Sequence, residues 1–332
     1  MFGRDYQFWM GGRSATHIDE ITSDPRQLDD GNFWAVVVTF EGEYQFVRFK
    51  KVEEKKFEIR DWTSLERPWI SSLDEMDYMA YVSRIRQAIS EGGVYQVNAC
   101  RILHHYLGER DVSLAGLFSR LQSANPAPYS QYLKIPGLEI ASASPELFLS
   151  RTGRQLKTSP IKGTLRQGAT EFGEKDKAEN LMIVDLMRND LGRICLPGSV
   201  EVAQLFRHEQ HPGLTHLVSD VVGTLRNEVS WSAIFEATIA PGSVSGAPKS
   251  AAVEIISREE GLRGPYCGAL GWIHGDRAEL AVGIRTFWKG DDNVLHFGTG
   301  AGITWGSDPH SEWEETQLKA RHLISLAGGE LP

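Results

Sequence analysis

Two pairs of acids stand three residues apart in stretches with helical patterning: Asp176 with Glu179, and Glu312 with Glu315. That spacing puts each pair on one face of a helix. Facing one another, the pairs would make an all-oxygen site with open positions, the donor set that suits Mg²⁺ sharing its shell with an anionic substrate and water. Acids in a first helical turn are also favoured by the helix dipole, so ordinary charge placement stands beside the metal reading. Lys319, one turn after Glu315, is either a helix salt-bridge partner or a further positive group of such a site.

Other motifs fail on spacing. Gly298-Thr299-Gly300-Ala301-Gly302 has its third glycine in the wrong place for a dinucleotide fingerprint, and no helix opens after it. Gly242-Ser243-Val244-Ser245-Gly246-Ala247-Pro248-Lys249 is one residue short of a P-loop, with Ala-Pro before the lysine. Both are left as ligand loops or plain turns. His104 and His105 are neighbours in a strand-like run, so their rings point to opposite faces and cannot share a metal.

The elements that must hold these residues are mixed. Asn32–Phe40 and Tyr44–Phe49 read as a β-hairpin, with the second run alternating at period two. Ser72 with Glu75 predicts a capping box for a helix to about Ser90, with Met76, Met79, Ile85 and Ile89 inward. Strands are expected at Tyr95–Leu107, Gln131–Lys134 and Leu147–Ser150. A helix from Glu174 to about Leu191 is expected to turn Met182, Leu186 and Met187 inward. Strand signals return from Tyr266 to Gly302, and Ser311 with Glu314 predicts a last helix ending near Ala327-Gly328. Strands and helices without a βαβ rhythm indicate α+β. No linker divides the 332 residues, which are read as one large domain whose strand-rich first part covers 1–75.

Composition narrows the function classes. There are 35 Lys and Arg against 44 Asp and Glu, a net charge of −9 without a basic run. A phosphate-tracking nucleic-acid binder is thereby disfavoured. No apolar stretch reaches the roughly 20 residues of a membrane helix, and Met1–Asp5 opens no signal-peptide core. Cys100, Cys195 and Cys267 are odd in number and far apart, against a disulfide framework or Cys zinc site. The cytoplasm is the expected compartment.

A further set of segments is specific. Ser144-Pro145-Glu146-Leu147-Phe148, Pro160-Ile161-Lys162-Gly163-Thr164, Glu179-Asn180-Leu181-Met182 running to Arg188-Asn189-Asp190-Leu191-Gly192-Arg193, His216-Leu217-Val218-Ser219, the Gly242–Lys249 segment and Arg263-Gly264-Pro265-Tyr266 occur in this order. So arranged, they resemble the chorismate-utilising enzymes, which include anthranilate synthase component I, aminodeoxychorismate synthase component I, and the isochorismate and salicylate synthases. The likeness runs from Tyr95 to Lys319, roughly two-thirds of the chain.

The resemblance implies an α+β fold with a large two-sheet core, helices outside, and a Mg²⁺-dependent chorismate site between the sheets. It implies that Glu179 and Glu315 are metal ligands, helped through water by Asp176 and Glu312; Asp176 departs from the glutamate many members have. Backbone N–H groups of Gly300, Ala301 and Gly302 would meet a chorismate carboxylate, with Gly163, Ser243, Tyr266, Arg285 and Lys319 as further substrate contacts. Two positions separate the branches. Isochorismate and salicylate synthases carry a water-activating lysine five residues before the strand arginine; here that residue is Gln96, before Arg101, and an amide cannot deprotonate water. Anthranilate synthases typically carry alanine where this chain has Lys162, and aminodeoxychorismate synthases carry lysine.

The likeness thus implies amination of chorismate to 4-amino-4-deoxychorismate, the precursor of p-aminobenzoate and so of folate. Lys162 would be the nucleophile and Glu146 the acid, with His216 and Thr164 around the leaving group. Ammonia would come from a glutaminase partner subunit. Anthranilate synthase component I is the nearest alternative, and a non-catalytic chorismate-binding subunit the alternative of another class. The N-terminal part lacks the Leu-Leu-Glu-Ser-like stretch of a tryptophan pocket, which leaves tryptophan binding without support.

Overall fold

In the computed structural model, residues 5–108, 112–166, 171–211 and 214–332 are described. Met1–Arg4, part of the segment read for a leader, fall outside them. Among the described residues eighteen strands form one hydrogen-bonded network, and every pairing between named strands is antiparallel. No described helix is long and apolar enough to cross a membrane.

Followed from neighbour to neighbour, the sheet starts at Glu201–His211 and passes through Leu214–Thr224 to the consecutive strands Gln155–Ser159 and Ile161–Arg166. It continues through Leu147–Thr152, Arg277–Val282, Ala269–His274, Phe33–Val38 and Tyr44–Glu54. Arg13–Thr22, Gln7–Met10, Tyr129–Ile135, Leu138–Ser144, Thr286–Lys289 and Val294–Ile303 then lead to Gln96–Tyr106. Strands at opposite ends of this order meet in space: a Cβ built on Gly302 would lie 2.5 Å from the Gln96 amide nitrogen and 3.6 Å from the Lys162 ammonium. The sheet therefore doubles back, and two facing layers arise from one continuous ladder. This is the α+β architecture expected.

Local sequence accounts for the layers. Phe33–Val38 is buried on both faces, as its unbroken apolar run requires, and pairs with Tyr44–Glu54 as the expected hairpin. One apolar core gathers Trp34, Phe46, Trp231 and Phe235; a second gathers Trp62, Trp69, Phe118, Tyr132 and Leu323 beneath the last helix.

Several expectations shift. The helix Glu75–Ser90 is capped by Asp74, whose carboxylate accepts from the Asp77 N–H, because Ser72 is engaged with Ile102 in strand pairing. Its buried face is Tyr78, Tyr81, Val82 and Ile85, while Met76 is exposed. The last helix is Pro309–Ala327: Asp308 caps it and Ser311 lies within its first turn. Helix Glu174–Gly192 buries Asn180, Ile183, Val184, Met187, Asp190 and Leu191, leaving Met182 and Leu186 at the margin. Helices Ala115–Ala124, Trp231–Thr238 and Lys249–Glu259 had no sequence expectation.

Candidate active site

Lys162 belongs to a strand. Ile161–Arg166 pairs with Leu214–Thr224, and the register slips by one residue between Ile161↔Val218 and Thr164↔His216. Such a bulge re-aims side chains. Gly163 absorbs the extra residue at φ +83°, and a Cβ there would meet Asp176 and Phe172 at 3.0 Å. Lys162 is half-buried, with its ammonium beside Gly302 and Gln96. Burial pulls its pKa down, helped by Lys319 and opposed by Glu179, Glu146 and Glu315. Gln96 is buried, and its side-chain carbonyl has no hydrogen-bond partner among the described residues.

Glu146, in the turn between Leu138–Ser144 and Leu147–Thr152, is 4% exposed. Burial pushes its carboxyl up to about 7, against hydrogen bonds from Ser243 and the Ile161 N–H and the charges of Lys162 and Arg285. It can therefore hold a proton near neutrality. His216 is buried between Thr164 Oγ1 at 3.0 Å from Nδ1 and Arg285 Nη2 at 3.4 Å from Nε2. A guanidinium only donates, so Nε2 accepts and the proton sits on Nδ1, donated to Thr164. Arg285 adopts φ +51°, unusual for a residue with a Cβ, and burial lowers its pKa against the pull of Glu146.

The glycines of Val294–Ile303 follow strand, not loop, logic. Gly298, Gly300 and Gly302 share one face, where added Cβ atoms would strike the Tyr266 ring at 2.1 Å, the Cys100 sulfur at 2.5 Å and the Gln96 amide at 2.5 Å. Only bare backbone lets those groups lie flush. The Gly300 carbonyl accepts from Lys319 at 3.0 Å, and the N–H of Cys100, its cross-strand partner, donates to Glu260. This marks Gly300–Cys100 as a non-hydrogen-bonded pair, so the peptide groups of Gly300 and Gly302 point out of the ladder while those of Ala301 lie in it. Ala301 is thus the one of the three expected donors whose N–H is engaged. Buried Tyr266 has its hydroxyl 3.8 Å from the Cys100 sulfur, and burial keeps it protonated.

The carboxylates come from two helices. Glu179 stands on Glu174–Gly192, and Glu312 and Glu315 on Pro309–Ala327. The Lys175 ammonium lies 3.8 Å from both Glu179 Oε1 and Glu312 Oε1, so it spans the two helices. Burial raises the pKa of Glu179 and Glu312, and Glu315 adds to both; Glu315 itself is lowered, chiefly by Lys319 at 2.6 Å. Asp176 instead caps its own helix, accepting from the Gly173 N–H at 3.1 Å. Among the described residues no three His, Cys, Asp or Glu side chains gather closely enough to hold a metal ion by themselves. Lys175 escaped the sequence reading, although its i,i+4 spacing to Glu179 was visible. The P-loop-like segment is a helical turn and a two-residue strand beside Gln96, ending in a Lys249–Asp190 ion pair of 2.6 Å.

A family model described as chorismate binding enzyme matches residues 21–325. The chain belongs to that family. Within the chorismate binding enzymes it is 38% identical over 270 residues to anthranilate synthase component 1 of Saccharolobus solfataricus, covering 77% of this chain and 63% of the relative. It is 34% identical over 291 residues to aminodeoxychorismate synthase component 1 of Salmonella typhimurium, covering 83% and 63%. The chain spans about half to just under two thirds of the length of the curated relatives it matches. In fold it resembles anthranilate synthase component I of Streptococcus pneumoniae, with a TM-score of 0.80 at 22% identity over 97% of this chain and 91% of that one.

Proposed function

We infer that this chain is the chorismate-aminating component of an aminodeoxychorismate synthase. The observation that carries the reading is Lys162: a lysine at the branch-distinguishing position, on a bulge facing Gln96 and Gly302, with its pKa lowered by burial. A lowered pKa frees the amine to act as a nucleophile.

Lys162 Nζ attacks C2 of chorismate, the two ring double bonds shift, and the C4 hydroxyl leaves as water with the proton of Glu146. Ammonia then attacks C4, the double bonds shift back, and Lys162 departs as the free amine. The new amine returns a proton to Glu146. The enolpyruvyl group stays in place, and a separate lyase would remove it as pyruvate. The unpartnered carbonyl of Gln96 is a buried acceptor for an N–H of the incoming ammonia. Thr164, His216 and Arg285 line the leaving-group side, and the outward N–H groups of Gly300 and Gly302 with Lys319 suit a carboxylate. Tyr266, Ser243 and Gly163 shape that pocket.

The residues fit a divalent cation whose shell a substrate carboxylate and water would complete, since the side chains alone do not close one: carboxylates on two helices converge on one positive charge. Glu179, Glu312 and Glu315 would hold Mg²⁺, whose contribution when bound is to polarise the substrate carboxylate. Asp176, occupied by its cap, would act through water. The "component 1" in the relatives' names supports a glutaminase partner as the ammonia source.

A second reading, anthranilate synthase component I, has one observation in its favour: relatives of comparable identity more often carry that name. Incubation with chorismate, Mg²⁺ and ammonia, with and without aminodeoxychorismate lyase, separates the two. p-Aminobenzoate appearing only with lyase is the expected result. Fluorescent anthranilate without lyase would establish the second reading, and saturable chorismate binding without product a non-catalytic subunit.

A further inference from the structure

Lys175 sits where a helix least favours it. It is the second residue of Glu174–Gly192, and the positive end of the helix dipole disfavours a cation there. Lys177, in the same turn, turns outward to a surface pair with Glu174 at 2.8 Å. Lys175 instead reaches across to the last helix, placing one ammonium 3.8 Å from Glu179 and 3.8 Å from Glu312. Its side chain is 59% exposed, whereas that of Glu312 is 6% exposed. A flexible, solvent-facing cation therefore caps two carboxylates that are far more buried than it is. Each of those carboxylates loses hydration on burial and is repelled by Glu315, so a positive charge between them favours their ionised forms.

We propose that Lys175 is an internal counter-ion that holds the carboxylates of the two helices together when no divalent cation does, and swings into solvent when one binds. The proposal deepens the metal reading above and rests on it. Three features make displacement possible. The stem is long and exposed, both contacts are long for ion pairs, and the ammonium makes no hydrogen bond among the described residues that would hold it. A cation taking its place keeps the charge balanced, so the two helices need not separate between the two states.

The test is Mg²⁺ titration by calorimetry of wild type, Lys175→Met, Lys175→Arg and Glu179→Gln, with melting temperatures in EDTA and in saturating Mg²⁺. Lys175→Met is expected to bind Mg²⁺ about tenfold more tightly, since one competing charge is gone. It should also melt below wild type in EDTA and level with it in saturating Mg²⁺. Lys175→Arg, which keeps the charge, should bind as wild type does. Unchanged or weaker binding by Lys175→Met, while wild type binds and Glu179→Gln does not, overturns the counter-ion and leaves the metal reading intact. Tightening in Lys175→Arg equal to that in Lys175→Met overturns it as well, because charge would not be the cause. Absence of saturable binding in wild type removes the metal reading and this proposal together. The exposure of Lys175 favours folded Lys175 variants, and Glu179→Gln keeps the shape of the side chain it replaces.

Discussion

At Glu146, burial outweighs every neighbour that would hold the carboxylate charged. Its folded pKa of about 7 lies above the ordinary glutamate value of 4.5, so between those values the folded protein binds a proton that the unfolded chain has released. Stability from this group is therefore complete below about pH 4.5 and is lost as pH rises toward 7. Glu146→Gln should then be more stable than wild type at pH 8, by on the order of 3 kcal/mol, with most of the gain gone at pH 5. Denaturant melts at both pH values check this, and an equal gain at each would contradict it. The same substitution should lower turnover by about 10²–10⁴-fold. Wild-type turnover should decline above pH 7 as the acid loses its proton. Lys162→Ala should abolish aminodeoxychorismate formation from ammonia; product at the wild-type rate would remove the covalent step.

Between strand and helix, Gly163 is the joint. Its left-handed φ, and the lack of room for a Cβ beside Asp176 and Phe172, set the bulge bearing Lys162 close against the start of Glu174–Gly192. Gly163→Ala is expected to cost about 1–2 kcal/mol for the strained backbone, and to lower kcat well beyond that. Unfolding curves with steady-state rates test it, and unaltered kcat would mean the bulge does not aim the lysine. At this scale the sequence was partly legible. Glu146 and Lys162 stand out only through the segments that carry the family resemblance, and Glu179 through its helical spacing to Asp176 as well. Helix faces did not follow, because buried polar groups stand where apolar ones were sought. Asn180 donates to the Leu217 carbonyl and accepts from Ser219, and Asp190 pairs with Lys249. Tyr78 and Tyr81 are buried with their hydroxyls on the Ala99 carbonyl and Glu260, where the methionines of that helix were expected inside. A polar side chain satisfied by a distant partner carries no periodic signature.

Over the whole molecule, the strand order explains why the site lies where it does. Gln96 and Gly302 stand at one end of the pairing order and Lys162 and His216 near the other, joined only because the sheet doubles back. Chorismate with Mg²⁺ should slow amide exchange at both ends, in Gln96–Tyr106, Val294–Ile303 and Leu214–Thr224. Arg13–Thr22 and Tyr44–Glu54, in the middle of the order, should change little. Protection confined to one end, read by mass spectrometry, would place the substrate elsewhere. The acidic balance of −9 is likewise set against position: Lys162 feels the charge of Lys319, Arg285 that of Glu146, and the acids of two helices face the ammonium of Lys175. Spacing pairs the acids within each helix, but not the strands that meet across the sheet, because residues far apart in the chain come together only after the sheet has closed.

That closure bears on dissection of the chain. A cut in the turn near Gly153 would leave Gln96 and Glu146 on one piece, and Lys162, His216, both acidic helices and the glycine strand on the other. Neither piece would own a complete set of reacting groups, and each would expose raw strand edges. Turnover in a mixture of the two, absent from either alone, would therefore report their re-association.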